Sequence, residues 1–146
     1  MCLHHFDSVE VLTDVSEDMT HRGVYNIKVD IIGRYGEEII TLDDKVRILT
    51  NEDIVITDGE KPVCIAGVMG GKNTDVDETT KDILIEAAIF NPLNVRYTSL
   101  RLDLRSEASL RYERGLNYEY TNLAIERACH LLEKYADAEI VGGMVE

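Results

Sequence analysis

Between residues 24 and 57 apolar and polar side chains alternate in short runs. Ile27, Val29 and Ile31 are interleaved with Lys28 and Asp30, the period of two that marks a half-buried strand. Gly33-Arg34-Tyr35-Gly36 predicts a hairpin turn into a strand over 38–42. Asp43-Asp44 turns the chain into 46–49, and Asn51-Glu52 leads to 54–57 before Asp58-Gly59 turns it again. Four short strands this close together predict an antiparallel meander. Residues 63–68 and 83–90 are apolar at nearly every position, which predicts buried strands. Asn91-Pro92 is a helix start, with Asn as N-cap and Pro at the first helical position, and the helix is expected to run to about Leu102. Residues 105–115 are rich in Ser, Arg and Glu and are expected to be irregular or briefly extended. A second helix follows a cap at Asn117, with Tyr120, Leu123, Ala124, Ala128, Leu131, Leu132 and Tyr135 as its apolar row. A short strand is expected at 139–141, and the first 26 residues read as a terminal segment and loop. Strands first and helices afterwards predict one α+β domain over 1–146, an antiparallel β-rich sheet or sandwich backed by two helices.

Composition narrows the function. The chain has 146 residues, enough for one real core. No run approaches the roughly 20 apolar residues that span a bilayer, and the start lacks the pattern of a signal peptide. Cys2, Cys64 and Cys129 are odd in number and scattered, which suits reduced thiols in the cytosol. A net charge of −13 argues against broad nucleic-acid binding. The charge is uneven, however: residues 96–114 hold five arginines (96, 101, 105, 111 and 114) against three acids. Arginine suits bidentate contacts to carboxylate or phosphate. These five either pair with the chain's own acids or face an anionic partner.

Three stretches carry more than a core requires. The first is Cys64-Ile65-Ala66-Gly67-Val68-Met69-Gly70-Gly71, whose glycines mark a turn, a bulge or a close backbone approach. The second is Ile83-Leu84-Ile85-Glu86-Ala87-Ala88-Ile89-Phe90, where alternation puts Glu86 in a row with Leu84, Ala88 and Phe90. A carboxylate there must be paired, protonated or open to a cavity, because burying an unpaired charge is costly. It is either an ion-pair partner for a nearby arginine or an acid aimed into a pocket floored by Ala66, Gly70 and Ala88. The third is the arginine-rich segment 105–115. His4 is either an exposed histidine or a group that positions water. His4, His5, Asp7 and His21 do not have the spacing of a metal site. No phosphate-binding or dinucleotide-binding glycine motif is present, so an ATP site is not expected.

Pro62-Val63-Cys64-Ile65-Ala66-Gly67-Val68-Met69-Gly70-Gly71, Leu84-Ile85-Glu86-Ala87-Ala88 and Arg105-Ser106-Glu107-Ala108-Ser109-Leu110-Arg111-Tyr112-Glu113-Arg114-Gly115 resemble the B3/B4 domain of the bacterial phenylalanyl-tRNA synthetase beta subunit. The likeness extends to Leu3-His4-His5-Phe6-Asp7, Leu42-Asp43-Asp44 and Ile54-Val55-Ile56-Thr57-Asp58, and covers nearly the whole chain. It implies a β-rich module backed by helices, holding an editing site that hydrolyses tyrosine mistakenly attached to the phenylalanine tRNA. By position, His4 matches the histidine that helps place the ester and the attacking water. Gly70 matches a glycine lining the amino-acid pocket, and Glu86 the acid that recognises the tyrosine hydroxyl. Ser106 stands where the family has Ser or Thr, and Ala108 where it has a small pocket-wall residue. The implied partners are the acceptor end of tRNA(Phe) and the synthetase alpha subunit in a heterotetramer, in the cytoplasm, with no membrane and no DNA. No cofactor is implied in this chain; ATP and magnesium belong to the alpha subunit's synthetic site. The other implied role is a non-catalytic RNA-binding or assembly module of the synthetase. This sequence departs from the family in beginning close to His4, so that it reads as N-terminally truncated. It also carries Met1-Cys2 for the usual Gln-Pro, His5 for Ala, and a longer stretch between Asp7 and Lys28.

Overall fold

The computed structural model of the chain describes residues 2–5, as backbone, and 35–140. The strand expected around Ile27, Val29 and Ile31, the N-terminal loop, and residues 141–146 lie outside the described residues. The described elements are strands β1 (Cys2–His5), β2 (Glu38–Ile40), β3 (Val46–Ile48), β4 (Val55–Thr57), β5 (Pro62–Ile65), β6 (Met69–Gly70) and β7 (Ile83–Glu86), followed by helices α1 (Pro92–Arg101), α2 (Glu107–Tyr112) and α3 (Tyr120–Ala136). The α+β order is as expected from the sequence, with three helices in place of two.

The strands do not form one meander. Among the described residues they make three antiparallel ladders, β1–β7, β2–β3 and β4–β5–β6. The expected β3–β4 pairing is absent because the chain between them is taken up by a buried carboxylate. Asp53 is 2% exposed. Its oxygens accept from the Thr50 N–H at 2.7 Å, the Thr50 hydroxyl at 3.1 Å, the Thr98 hydroxyl at 2.6 Å, and the Arg101 guanidinium. Arg101 also donates to the Ile48 carbonyl at 3.0 Å, and the Asn94 amide to that of Glu52 at 3.0 Å. A buried charge so fully bonded fixes this loop to α1 and diverts it from a hairpin.

β5 is the central strand of its ladder and is buried along its length. Its residues enter two apolar clusters, and Phe90 packs against both. Ile39, Leu49, Val55, Ile65, Val68, Val95, Leu104 and Tyr112 form one, and Ile56, Val63, Cys64 and Ala66 the other. Residues on both faces of β4 and β5 therefore need to be apolar, which is why their sequence runs lack alternation. β7 ends at Glu86, four residues short of the expected strand, and its residues are half-buried.

The β2–β3 hairpin is built as the sequence predicts, closing through Asp44 at φ 59°. Its inner face carries Ile39 and Arg47. Arg47 donates to the Leu102 carbonyl and, at 2.7 Å, to Asp43. The Thr41 hydroxyl bound to Asp43, helped by Arg47, holds that carboxyl below its usual range against the cost of burial.

Helix α1 starts where expected: the Asn91 side chain accepts from the N–H groups of Leu93, at 3.0 Å, and Asn94. Its orientation is unusual. Val95, Thr98 and Ser99 face inward, while Leu93, Arg96, Tyr97 and Leu100 form an exposed row at helical spacing. Helix α3 buries only part of its expected row. Ala128 is buried and Leu131 and Leu132 are half-buried, as expected, but Tyr120, Leu123, Ala124 and Tyr135 are exposed, and Thr121, Ile125 and Cys129 are half-buried instead. The tyrosines keep their hydroxyls in water. Helix α3 ends at Asp137, left-handed at φ 50°, with its N–H bonded to the Leu132 carbonyl. No strand forms at residues 139 and 140.

Candidate functional site

The arginine-rich segment is not irregular: it contains α2. Ser106 is its N-cap, accepting from the Ser109 N–H at 3.0 Å, while the Ser109 hydroxyl accepts from the Ser106 N–H at 3.0 Å. This is a reciprocal capping box with serine at the third helical position, where the recognisable motif has Glu or Gln. The Ser106 hydroxyl donates to the Val68 carbonyl at 2.6 Å. At the other end of α2, the Tyr112 hydroxyl donates to the Ala88 carbonyl at 2.8 Å. Helix α2 thus joins the glycine-rich stretch to the stretch that carries Glu86. The three sequence stretches form one frame.

The glycine-rich stretch is shaped by two close approaches. Gly67 has φ +69°, and a Cβ there would lie 3.0 Å from Val95 and 3.2 Å from Tyr112. A Cβ on Gly71 would lie 2.5 Å from the Asn73 side chain and 2.7 Å from the Val63 carbonyl oxygen. Gly70 is half-buried and looser, since a Cβ there would meet only the Leu42 side chain, at 3.3 Å. It pairs with Cys64 across β5–β6, and its carbonyl accepts from the Leu42 N–H at 3.1 Å.

Glu86 and His4 come together through the β1–β7 ladder. His4 pairs with Leu84, and Cys2 with Glu86. Residues two apart share a face of a strand, so His4 and Glu86 occupy the same face, diagonal to one another. Glu86 is half-buried at the last position of β7. Of the five residues singled out in the sequence, the register joins His4 to Glu86, and Ser106 bonds to the stretch that holds Gly70. Ala108 is exposed on the first turn of α2.

The arginines divide. Arg101 pairs with Asp53, Arg105 with Glu113 at 2.7 Å, and Arg111 with Glu107 at 3.6 Å. Arg96 and Arg114 are exposed and make no ion pair among the described residues. Asp53 and Tyr112 escaped the sequence reading. Asp53 sits in an acidic, turn-like run that looks solvated, and Tyr112 is the one aromatic in a charged segment. A cleft of about 370 Å³ is lined by Glu52, Asp53, Tyr97, Thr98 and Arg101. It shares no residue with the frame around Glu86. Among the described residues no cluster of His, Cys, Asp or Glu is arranged to hold a metal, and no helix is long and apolar enough to cross a membrane.

Comparison with known proteins bears on this frame as a whole. A family model described as the B3/4 domain matches residues 2–137, which include all five of these residues. The phenylalanine–tRNA ligase beta subunit of Staphylococcus saprophyticus is 46% identical over 143 residues, 98% of this chain and 16% of that protein. The same subunit from Staphylococcus aureus is 50% identical over 106 residues, 73% of this chain and 13% of that protein. The chain spans about one sixth or less of the length of these relatives. With the glycine-rich turn, the Glu86 strand and the α2 bracket in one frame, and that frame wholly inside the matched region, the chain belongs to the B3/4 domain family.

Proposed function

We propose that this chain is an editing domain that releases tyrosine from mischarged tyrosyl-tRNA(Phe). The observation that carries the reading is the β1–β7 register, which sets His4 and Glu86 on one face with a half-buried carboxylate at the strand end. An aminoacyl ester is already activated, so placing a water beside the carbonyl suffices, and His4 has the chemistry for that. Glu86 supplies the selectivity. A pocket built for phenylalanine rejects an added hydroxyl by only about 10² in comparable enzymes, whereas a buried acceptor for that hydroxyl is left unpaired by phenylalanine. In this reading Gly70 lines the amino-acid pocket. Ser106 acts through the backbone of the glycine-rich turn, because its hydroxyl is bonded to Val68. Ala108 is the remaining pocket-wall position. The substrate is the acceptor end of tRNA(Phe), with Arg96 and Arg114 free to meet phosphate. The synthetase alpha subunit is the cytoplasmic partner, and it holds ATP and magnesium.

The test is release of tyrosine from tyrosyl-tRNA, with phenylalanyl-tRNA in parallel, by folded protein. Selective release of tyrosine that Glu86→Ala abolishes is expected. Survival of the preference in that variant overturns the role of Glu86. A second reading, a non-catalytic RNA-binding or assembly module of the synthetase, is favoured by the exposed row Leu93, Arg96, Tyr97 and Leu100 on α1. Binding of tRNA without deacylation selects it.

A further inference from the structure

We propose that Tyr112 is a positioning residue for Glu86, setting the carboxylate's place from the far side of the strand end. The inference rests on the editing reading above and adds to it a residue that acts without touching substrate. Among the described residues the ladder holds the chain up to Glu86: β7 ends there, and residues 87–90 belong to no strand. A chain leaving a sheet carries backbone groups that have lost their ladder partners. Two residues past Glu86, the Tyr112 hydroxyl takes up the Ala88 carbonyl at 2.8 Å. Four residues past Glu86, the Phe90 ring packs on the Tyr112 ring, with centroids 5.5 Å apart and planes tilted by 33°.

Tyr112 is itself immobilised. It is 8% exposed, in the larger apolar cluster, and its ring lies 3.2 Å from where a Cβ on Gly67 would fall. The helix it ends is tied at its start to Val68 through Ser106. A rigid element therefore grips the segment after Glu86 while β1 grips the strand before it. Selectivity by a single hydrogen bond to a substrate hydroxyl depends on sub-ångström placement of the acceptor. The Tyr112 hydroxyl supplies that placement; the ring alone supplies packing.

Tyr112→Phe in the full chain separates the two, since it removes the hydroxyl and keeps the ring stack. The preference for tyrosyl over phenylalanyl ester is expected to fall about three- to tenfold, the range that one intramolecular hydrogen bond commands. Amide exchange across residues 84–90 is expected to quicken by a similar factor. Equal loss on both esters, with the ratio unchanged, means that Tyr112 serves stability alone and overturns the inference. Unchanged exchange at 84–90 overturns it as well. If the unsubstituted chain shows no tyrosine preference, the editing reading falls by itself. The exchange measurement then decides whether Tyr112 holds the segment.

Discussion

Replacing Asp53 by Asn tests the account of the loop between β3 and β4. The substitution changes the side chain's volume little and removes its charge. In the native chain both carboxylate oxygens only accept, from Thr50, Thr98 and Arg101. The amide brings an NH2 group among donors. Either the Thr98 hydroxyl or the Thr50 and Arg101 donors lose their acceptor, and the Arg101 guanidinium loses its counter-charge. Breaking a buried ion pair from one side costs about 3–5 kcal/mol. The Arg101 side chain is 38% exposed, so part of its charge is screened, and we expect the lower end, about 3 kcal/mol. A stable domain of this size has about 5–15 kcal/mol in all. Urea unfolding followed by the helical circular dichroism signal measures the difference, with the slope checked for constancy. A loss below about 1 kcal/mol would refute the argument that Asp53 holds the loop to α1. Thr98→Val, which removes one neutral donor, should cost about 1–2 kcal/mol in the same assay.

Two further substitutions test the frame of the site. Gly71→Ala should destabilise by about 1–3 kcal/mol, because its Cβ meets the Val63 backbone, while Gly70→Ala should cost less than about 1 kcal/mol, because Leu42 has room to yield; equal losses in thermal unfolding would contradict the geometry. Ser106→Ala removes both a helix cap and the bond to Val68 and should cost about 2 kcal/mol, while Ser106→Thr should retain most of it; an alanine variant as stable as the parent in urea would show that the cap carries no weight.

Much of the fold was legible because it is written in local patterns. Asp43-Asp44 announces the turn of the β2–β3 hairpin and Asn91-Pro92 announces α1, whereas the inward face of β3 was not legible, because Arg47 is buried between the exposed Val46 and Ile48. What was illegible depends on contacts distant in sequence. Helix α2 is six residues long, too short to show a period, and its capping box closes through Ser109 rather than an acidic or amide side chain. The apolar row of α3 is buried only in part, at Ala128, Leu131 and Leu132, while its tyrosines and Leu123 stay outside. A helical period marks candidate inward positions, and packing decides which of them are covered. Glu86 was visible as a charge among hydrophobes, whereas Tyr112 became meaningful only when the Ala88 carbonyl was found beside it.

The outward row of α1 has a consequence for the isolated chain in solution. Leu93, Tyr97 and Leu100 are each more than half exposed, on a molecule whose net charge is −13. At low ionic strength, mutual repulsion keeps such molecules apart before their apolar surfaces meet. The range of that repulsion shrinks from about 30 Å at 0.01 M salt to about 3 Å at 1 M. Salt also strengthens the gain from covering apolar area when the anion is sulfate or phosphate. The same helix face is therefore inert in dilute buffer and adhesive in concentrated sulfate, so that colloidal behaviour, not fold stability, sets the conditions under which this chain stays monomeric.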